Sequence, residues 1–210
     1  MSEPVPDGLR IEPLTQDRIS ACWQLRLRAL REHPDAFGQP YAEAIALPLE
    51  AAHEILRQRM ATAGTATFVA VDGAGNLVGM IGFFREPRAK NAHRGNVVSF
   101  YVVTEARGHG ISSRLLDAVL NHARHIPGVL QIHLTVTTAN TVAIHAYERA
   151  GFVRCGRVPR ADILDGEPVD NDLMVLMLDG YQPPDARFRD HGYDGSGDTG
   201  RDATTHSFGR

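Results

Sequence analysis

Apolar and polar positions along the chain follow two periods, one of about 3.6 residues, typical of helices, and one of two residues, typical of strands. The helical period predicts helices over residues 17–32, 49–62, 110–125 and 142–150. Apolar runs bounded by turn residues predict strands over residues 9–14, 65–72, 77–86, 96–105, 129–138, 152–158 and 173–180. Helices and strands therefore alternate over most of the chain.

The order of these elements predicts the class of fold. The sequence "GAGN" separates the second and third strands, which is typical of an antiparallel hairpin because Gly and Asn accept a positive φ. Strand-helix-strand units follow this hairpin. We therefore expect an α/β domain built on a mixed, mostly antiparallel central sheet with helices on both faces.

Length and composition predict one domain with a polar tail. The chain has 210 residues, of which 43% are hydrophobic, which is enough for one sizeable core and few for two. We assign the domain to residues 1–180. Residues 181–210 are rich in Gly, Asp, Arg and Pro and nearly lack aliphatic side chains. Such a segment buries too little apolar surface to offset its ordering entropy, so we expect it to be disordered.

Charge and cysteine content exclude several classes of partner. The formal net charge is −3, from 22 Lys and Arg against 25 Asp and Glu, which argues against nucleic acid or an anionic membrane as a partner. No signal sequence and no apolar run of about 20 residues is present, so we expect a soluble, cytoplasmic protein. We expect it to be a monomer or a homodimer. Cys22 and Cys155 lack CxxC spacing, and we expect both to be buried free thiols. His133 and His145 have no third ligand at a suitable spacing, and we assign no metal.

The stretch "VVTEARGHGISSRLL" joins a strand to an amphipathic helix through Gly108 and Gly110. The first helical N–H groups at such a junction have no intrahelical partner and lie at the positive end of the helix dipole, so they can bind an anion. A glycine lets a phosphate oxygen approach the backbone closely, and Arg107 adds a charged donor. The P-loop spacing GxxxxGK[ST] is absent, and a dinucleotide fingerprint GxGxxG would need a glycine at Ser113. Glycines are also common in strand-to-helix turns that bind nothing.

The segment "RGHGIS" resembles the Q/R-x-x-G-x-G/A pyrophosphate loop of the GNAT superfamily of N-acetyltransferases, which use acetyl-CoA. Arg107 takes the first position of that pattern and Gly110 the fourth. The sixth position departs from it, because Ser112 stands where Gly or Ala is usual. Serine adds only a small hydroxyl that can donate to a phosphate, so we expect it to be tolerated.

A second segment, "NTVAIHAYERAGF", resembles the other signature region of the same superfamily. Asn140, Ala143, Tyr147 and the pair Gly151 and Phe152 stand at matching spacings. The resemblance extends from about residue 9 to residue 178, is specific between residues 97 and 152, and does not cover the tail. It implies a GNAT-type sheet in which the strand before the loop carries a bulge and splays from its neighbour.

The resemblance also implies a reaction and the residues that perform it. Acetyl-CoA would give its acetyl group to a primary amine by direct attack. Backbone groups of Val102 and Val103 would pair with the pantetheine arm, and one N–H there would stabilise the thioester oxygen. Asn140 would cap its helix or bond the pantetheine arm, and Tyr147 would protonate the departing thiolate. The residues expected to hold the pyrophosphate are Arg107, Gly108, His109, Gly110, Ile111, Ser112 and Ser113.

The general base is the least defined part of this mechanism. Several relatives place a glutamate on the strand before the loop, but "NVVSFYVV" contains no acid. Glu86, His93 and Tyr101 are candidates, and a water chain to bulk solvent is an equal alternative.

The acceptor amine is open as well. The resemblance assigns its binding to residues 23–63 and 157–171. Four acidic residues there could attract a cationic amine: Glu43, Asp162, Asp165 and Glu167. A non-catalytic acyl-CoA-binding module and a nucleotide-binding α/β domain are the alternative functions.

Overall fold

The computed structural model describes residues 8–181. The tail that was predicted to be disordered, residues 181–210, lies outside this range except for Tyr181. The strands within it are β1 (Arg10–Pro13), β2 (Thr65–Val71), β3 (Leu77–Arg85), β4 (Arg94–Val102), β5 (Gln131–Thr137), β6 (Val153–Leu164) and β7 (Glu167–Met177). The α-helices are α1 (Ile19–Glu32), α2 (Tyr41–Ile45), α3 (Leu49–Ala61), α4 (Ile111–Arg124) and α5 (Thr141–Arg149).

The seven strands form one sheet in the order β1-β2-β3-β4-β5-β7-β6. Neighbouring strands are antiparallel except for β4 and β5, which are parallel. Helix α4 connects these two strands, since a parallel pair needs a crossover. The predicted mixed, mostly antiparallel sheet is confirmed.

Strands β4 and β5 pair over only a short stretch and then separate. Residues 94–96 are in register with residues 131–133, and from residue 97 onward β4 has no register partner in β5. Toward β3, Ser99 and Phe100 together oppose Ile81, and Ser99 has a φ of 55°. This is a β-bulge, which bends the strand at the point where the pairing ends. The expected splayed strand pair is present, and a gap opens beside the second half of β4.

Apolar cores fill both faces of the sheet. On one face α1, α2 and α3 pack against alternate strand residues, with Trp23 and Leu30 in the same cluster as Val69. On the other face α4 and α5 pack against the intervening residues, with Leu115 beside Ile132. The two-residue period of a strand sends successive side chains to opposite faces, so β2, β3 and β4 each contribute to both cores. None of the helices in residues 8–181 is long and apolar enough to cross a membrane.

The structure differs from the sequence prediction in a few elements. Helix α2 was not predicted, because five residues are too few to establish a helical period. The last two strands, β6 and β7, extend beyond their predicted ranges and form a hairpin that turns at Asp165 and Gly166, whose φ values are 51° and 86°. The prediction of two buried thiols is right for Cys22 and wrong for Cys155, which is exposed because β6 is the outermost strand of the sheet.

Candidate functional site

The turn between β4 and α4 holds both of its glycines in the left-handed region. Gly108 has a φ of 87° and Gly110 a φ of 73°. Gly110 stands directly before α4 and has no side chain to cap it, and the first helical bond runs from the Arg114 N–H to the Gly110 carbonyl. The N–H groups of the α4 residues before Arg114 therefore have no partner within the helix and point away from its N-terminus. A Cβ at either glycine would meet no other atom within 4 Å, so the space beside this turn is open. Such an arrangement fits a phosphate group.

Arg107 ties this turn to the end of β4. Its Nε donates to the Val102 carbonyl at 3.1 Å, and its Nη2 lies 2.7 Å from Nε2 of His33. The ring of His109 folds back, with Nδ1 at 2.9 Å from the Arg107 carbonyl. Contacts within the protein thus occupy part of the guanidinium that was expected to face the pyrophosphate, and the backbone of the turn is the larger source of donors.

The end of β4 presents one of the two expected backbone positions to the gap. The N–H of Val103 donates to the Val78 carbonyl of β3 at 3.0 Å, so it is not available to a ligand. Successive residues of a strand direct their backbone groups to opposite sides, and Val102 therefore faces the side from which β5 has separated. Of the two residues, Val102 is the one whose N–H can pair with an added chain, since its carbonyl already accepts from Arg107.

Asn140 caps α5. Its Oδ1 accepts a hydrogen bond from the Ala143 N–H at 3.1 Å. This is the first of the two roles expected from the sequence. The side-chain amide nitrogen is not used in this bond, so a second partner can still accept from it.

Tyr147 is buried between two aromatic rings on the α5 side of the sheet. Its ring centroid lies 5.9 Å from that of Phe100, in the bulge of β4, and 5.8 Å from that of Phe152. Burial raises the pKa of Tyr147 well above its usual value, because the charged phenolate would lose its hydration. Its hydroxyl makes no hydrogen bond within residues 8–181. The side chain is therefore a protonated, unengaged donor beside the gap.

A cleft of about 1010 Å³ opens on the face of the sheet that carries α1 and α3. Its floor is the part of β2 to β5 that these helices leave uncovered, and it reaches Ser99 in the bulge of β4. Its charged or titratable lining residues, all of them basic except a cysteine, are Arg26, Arg59, Arg94, His133 and Cys155. The region predicted to bind the acceptor, residues 23–63, contributes one wall of this cleft.

The acidic residues expected near an acceptor lie elsewhere. Asp162 and Asp165 line a second, smaller cavity of about 440 Å³ together with Asp35. Glu43 and Glu167 are exposed and line neither cavity. The cleft beside the bulge therefore carries the opposite charge from the one that a cationic acceptor would favour.

The three candidate bases differ in their suitability. The Tyr101 hydroxyl donates to Oε2 of Glu32 at 2.6 Å, and burial together with Glu32 raises the pKa of Tyr101 to about 12. It is therefore a poor proton acceptor at neutral pH. Glu86 accepts from Nδ2 of Asn96 at 2.9 Å, and neither Glu86 nor His93 lines the cleft.

The sequence did not single out Arg26 or His133 for the acceptor site. His133 lies on β5 and faces the cleft, and its Nε2 is buried without a partner among the described residues. Burial and the nearby Arg94 lower the pKa of His133, so the ring is neutral at pH 7. The only signal in the sequence was the alternation of polar and apolar residues in "QIHLTVT", which places His133 and Thr135 on the face opposite Ile132.

Comparison with known proteins agrees with this geometry. The family described as acetyltransferase (GNAT) family matches residues 27–152. The mycothiol acetyltransferase of Propionibacterium freudenreichii subsp. shermanii is 32% identical over 148 residues, which cover 70% of this chain and 44% of that protein. The chain thus spans less than half the length of this relative.

Solved structures share the fold. The acetyltransferase of the GNAT family from Streptococcus pneumoniae superposes with a TM-score of 0.74 and 22% identity, covering 81% of this chain and all of that one. The ribosomal L7/L12 alpha-N-protein acetyltransferase, solved in complex with coenzyme A, gives a TM-score of 0.68 at 17% identity over 84% of this chain and 97% of that one. Because the family match spans more than half of the sequence, this chain belongs to the acetyltransferase (GNAT) family.

Proposed function

We propose that this protein moves the acetyl group of acetyl-CoA to a primary amine by direct attack. The observation that carries the proposal is the position of Tyr147, whose ring contacts Phe100 in the bulge of β4, beside the gap between β4 and β5. The glycine turn that fits a phosphate lies at the end of the same strand. A proton donor, Tyr147, and a turn that can bind an anion thus lie along the edge of β4 that faces the gap.

In this proposal the chain's residues hold acetyl-CoA along β4. Backbone N–H groups of residues 108–113 bind the pyrophosphate at the N-terminus of α4, and Arg107, Ser112 and Ser113 add side-chain donors. The Val102 backbone pairs with the pantetheine arm, and the Asn140 amide can reach the same arm. When bound, acetyl-CoA supplies an activated acyl carbon. A backbone N–H facing the gap stabilises negative charge on the thioester oxygen.

Tyr147 acts as the general acid. A phenol whose pKa is raised by burial stays protonated at neutral pH, so it can give its proton to the departing thiolate. The acceptor approaches from the cleft on the opposite face of the sheet. Its ammonium group must first lose a proton, and in this proposal neutral His133, which lines the cleft, or water in the cleft accepts it. No metal enters this scheme, and a cytoplasmic location and a monomeric or homodimeric state stay predictions.

Ligand binding tests the first half of the proposal. A compound that binds only the native protein raises its melting temperature. We expect acetyl-CoA to raise the melting temperature of the full chain, and NAD and ATP at equal concentration to leave it unchanged. A shift with NAD or ATP and none with acetyl-CoA would favour a nucleotide-binding domain and overturn the proposal.

Catalysis tests the second half. Release of free CoA thiol is followed with a thiol reagent over a panel of amines, which includes amino acids, polyamines, aminoglycosides, lysine peptides and peptides with a free N-terminus. We expect at least one class of amine to release thiol faster than acetyl-CoA hydrolyses alone. A protein that binds acetyl-CoA but transfers to no amine is instead a non-catalytic acyl-CoA-binding module.

A further inference from the structure

The charge of the cleft is unusual for a site that accepts an amine. Its lining residues include Arg26, Arg59 and Arg94 and no aspartate or glutamate. An ammonium ion is repelled by such a surface, and an anion is attracted. The positive charge of the cleft therefore indicates that the acceptor carries a negatively charged group in addition to its amine.

Arg26 is the most informative of these residues. Its Nη1 donates to the Ser99 hydroxyl at 3.0 Å and its Nη2 to Oε1 of Gln39 at 2.9 Å, and its guanidinium lies over the ring of Phe37. Both acceptors are neutral. Among residues 8–181 no carboxylate pairs with it, although it is only partly accessible to solvent.

Arg28, on the same helix, shows the ordinary arrangement. Its Nε donates to Glu32, and its two terminal nitrogens form a bidentate pair with Glu105 at 2.7 Å each. The described part of the chain thus provides two counterions for Arg28 and none for Arg26, although both side chains are partly buried. A cation removed from water without a counterion is costly to the folded state. Burial and repulsion by Arg59 lower the pKa of Arg26, because nothing nearby compensates its positive charge.

Arg26 contacts the bulge of β4, which borders the gap between β4 and β5. Ser99, to which Arg26 donates, precedes Phe100, and the Phe100 ring contacts Tyr147. One residue along a strand spans about 3.3 Å. A group bound by Arg26 on the cleft face would therefore lie beside the bulge of β4, one residue along the strand from the residue whose ring contacts Tyr147.

We propose that the acceptor is a small amine that also carries a carboxylate, as a free amino acid does, and that Arg26 and Arg59 bind this carboxylate. The inference rests on the proposed acetyl transfer and specifies its substrate class. A guanidinium holds a carboxylate by two parallel charge-assisted hydrogen bonds, which fixes the position of the adjacent amine. The bound substrate supplies the counterion that the cleft lacks.

Matched acceptors test the proposal. Each of the common amino acids is compared with its own α-carboxamide and with the amine that lacks the carboxyl group, by thiol release at equal concentrations. We expect the preferred amino acid to have a kcat/KM about 10- to 100-fold above that of its carboxamide and that of the decarboxylated amine. This factor is the free energy of a hydrogen bond to a charged group, converted to a ratio of kcat/KM values. Polyamines, which lack a carboxylate, should be poor substrates.

Variants separate the arginines from a general effect of charge. Arg26→Gln and Arg59→Gln should raise KM for the amino acid while leaving kcat/KM for its amide within about twofold. Arg57→Gln is the matched control, because Arg57 lies two residues from Arg59 on α3, pairs with Glu50 and Glu54, and does not line the cleft. It should leave both substrates unchanged. The melting temperature of each variant, with and without acetyl-CoA, confirms that it is folded and binds its co-substrate.

The outcomes distinguish this inference from the proposed function. If amides or polyamines are acetylated as well as the amino acids, or if Arg26→Gln slows all acceptors equally, the carboxylate proposal is wrong and acetyl transfer stands. If acetyl-CoA neither binds nor reacts with any amine, the proposed function itself is wrong. For a protein that binds acetyl-CoA but shows no turnover, amino acids must still raise the melting temperature of the CoA complex more than their amides do. Otherwise the carboxylate proposal is again overturned.

Discussion

Replacing Tyr147 by phenylalanine removes a single hydroxyl from the centre of the site. The packing of the ring against Phe100 and Phe152, at centroid distances of 5.9 and 5.8 Å, is retained by the new side chain. The hydroxyl makes no hydrogen bond within residues 8–181, so its loss leaves no buried partner unsatisfied. We therefore expect the free energy of unfolding to change by less than about 1 kcal/mol.

The effect on turnover is expected to be much larger. General acid catalysis contributes roughly 10²- to 10⁴-fold to a rate. A thiol with a pKa of about 8.5 is a better leaving group than an alcohol or an amine, so the loss belongs near the lower end of that range. We expect kcat to fall about 100-fold, which corresponds to about 2.7 kcal/mol of transition-state free energy. Burial raises the pKa of Tyr147, so the phenol stays protonated and the ratio should be constant from about pH 6 to pH 8.

The assay is steady-state thiol release with the preferred amine, combined with calorimetric measurement of the Kd for acetyl-CoA. Tyr41→Phe is the control, because Tyr41 is half-buried on α2 and lines neither cavity. It should behave as the unmodified protein. The acid role is refuted if Tyr147→Phe keeps more than half of kcat, or if the Kd for acetyl-CoA weakens by the same factor by which kcat falls. The second result would show that Tyr147 holds the co-substrate instead.

Three further measurements test other parts of the structure. Gly110→Ala and Gly75→Ala both place a Cβ at positive φ with no atom within 4 Å, so each should lose about 1–2 kcal/mol of stability, but only Gly110→Ala should also weaken acetyl-CoA binding; equal binding by both variants would show that the turn does not hold the co-substrate. Burial lowers the pKa of His122 and of His133, so below the unfolded-state value of about 6.5 the unfolded chain binds protons that the folded one does not; the melting temperature should fall as the pH drops from 7 to 5, and His122→Leu, whose ring site lies against Phe83, should reduce that fall without abolishing it, or the argument fails. In native protein one thiol, Cys155, should react with a thiol reagent, and the second only after denaturation; rapid reaction of both would contradict the burial of one.

The sequence by itself determined the elements and the motif. Within residues 8–181, the helical period predicted four of the five α-helices, and apolar runs bounded by turn residues predicted all seven strands, because both patterns are local in the sequence. The two glycines before α4 were found in the same way, since a strand followed by a positive-φ turn and an amphipathic helix is a local pattern. The pairing of that turn with the segment around Tyr147 came from the resemblance to a family.

Tertiary structure alone decided which residues share the cleft. Arg26 and Ser99 are 73 residues apart in the chain, and their contact depends on how α1 lies across the bulge of β4. The exposure of Cys155, the engagement of Val103 with β3 and the position of His133 depend likewise on strand order and register. Periodicity reports whether a face is buried but not which other face covers it. The positive charge of the cleft is therefore a property of the assembled sheet, because its arginines come from segments that only the fold brings together.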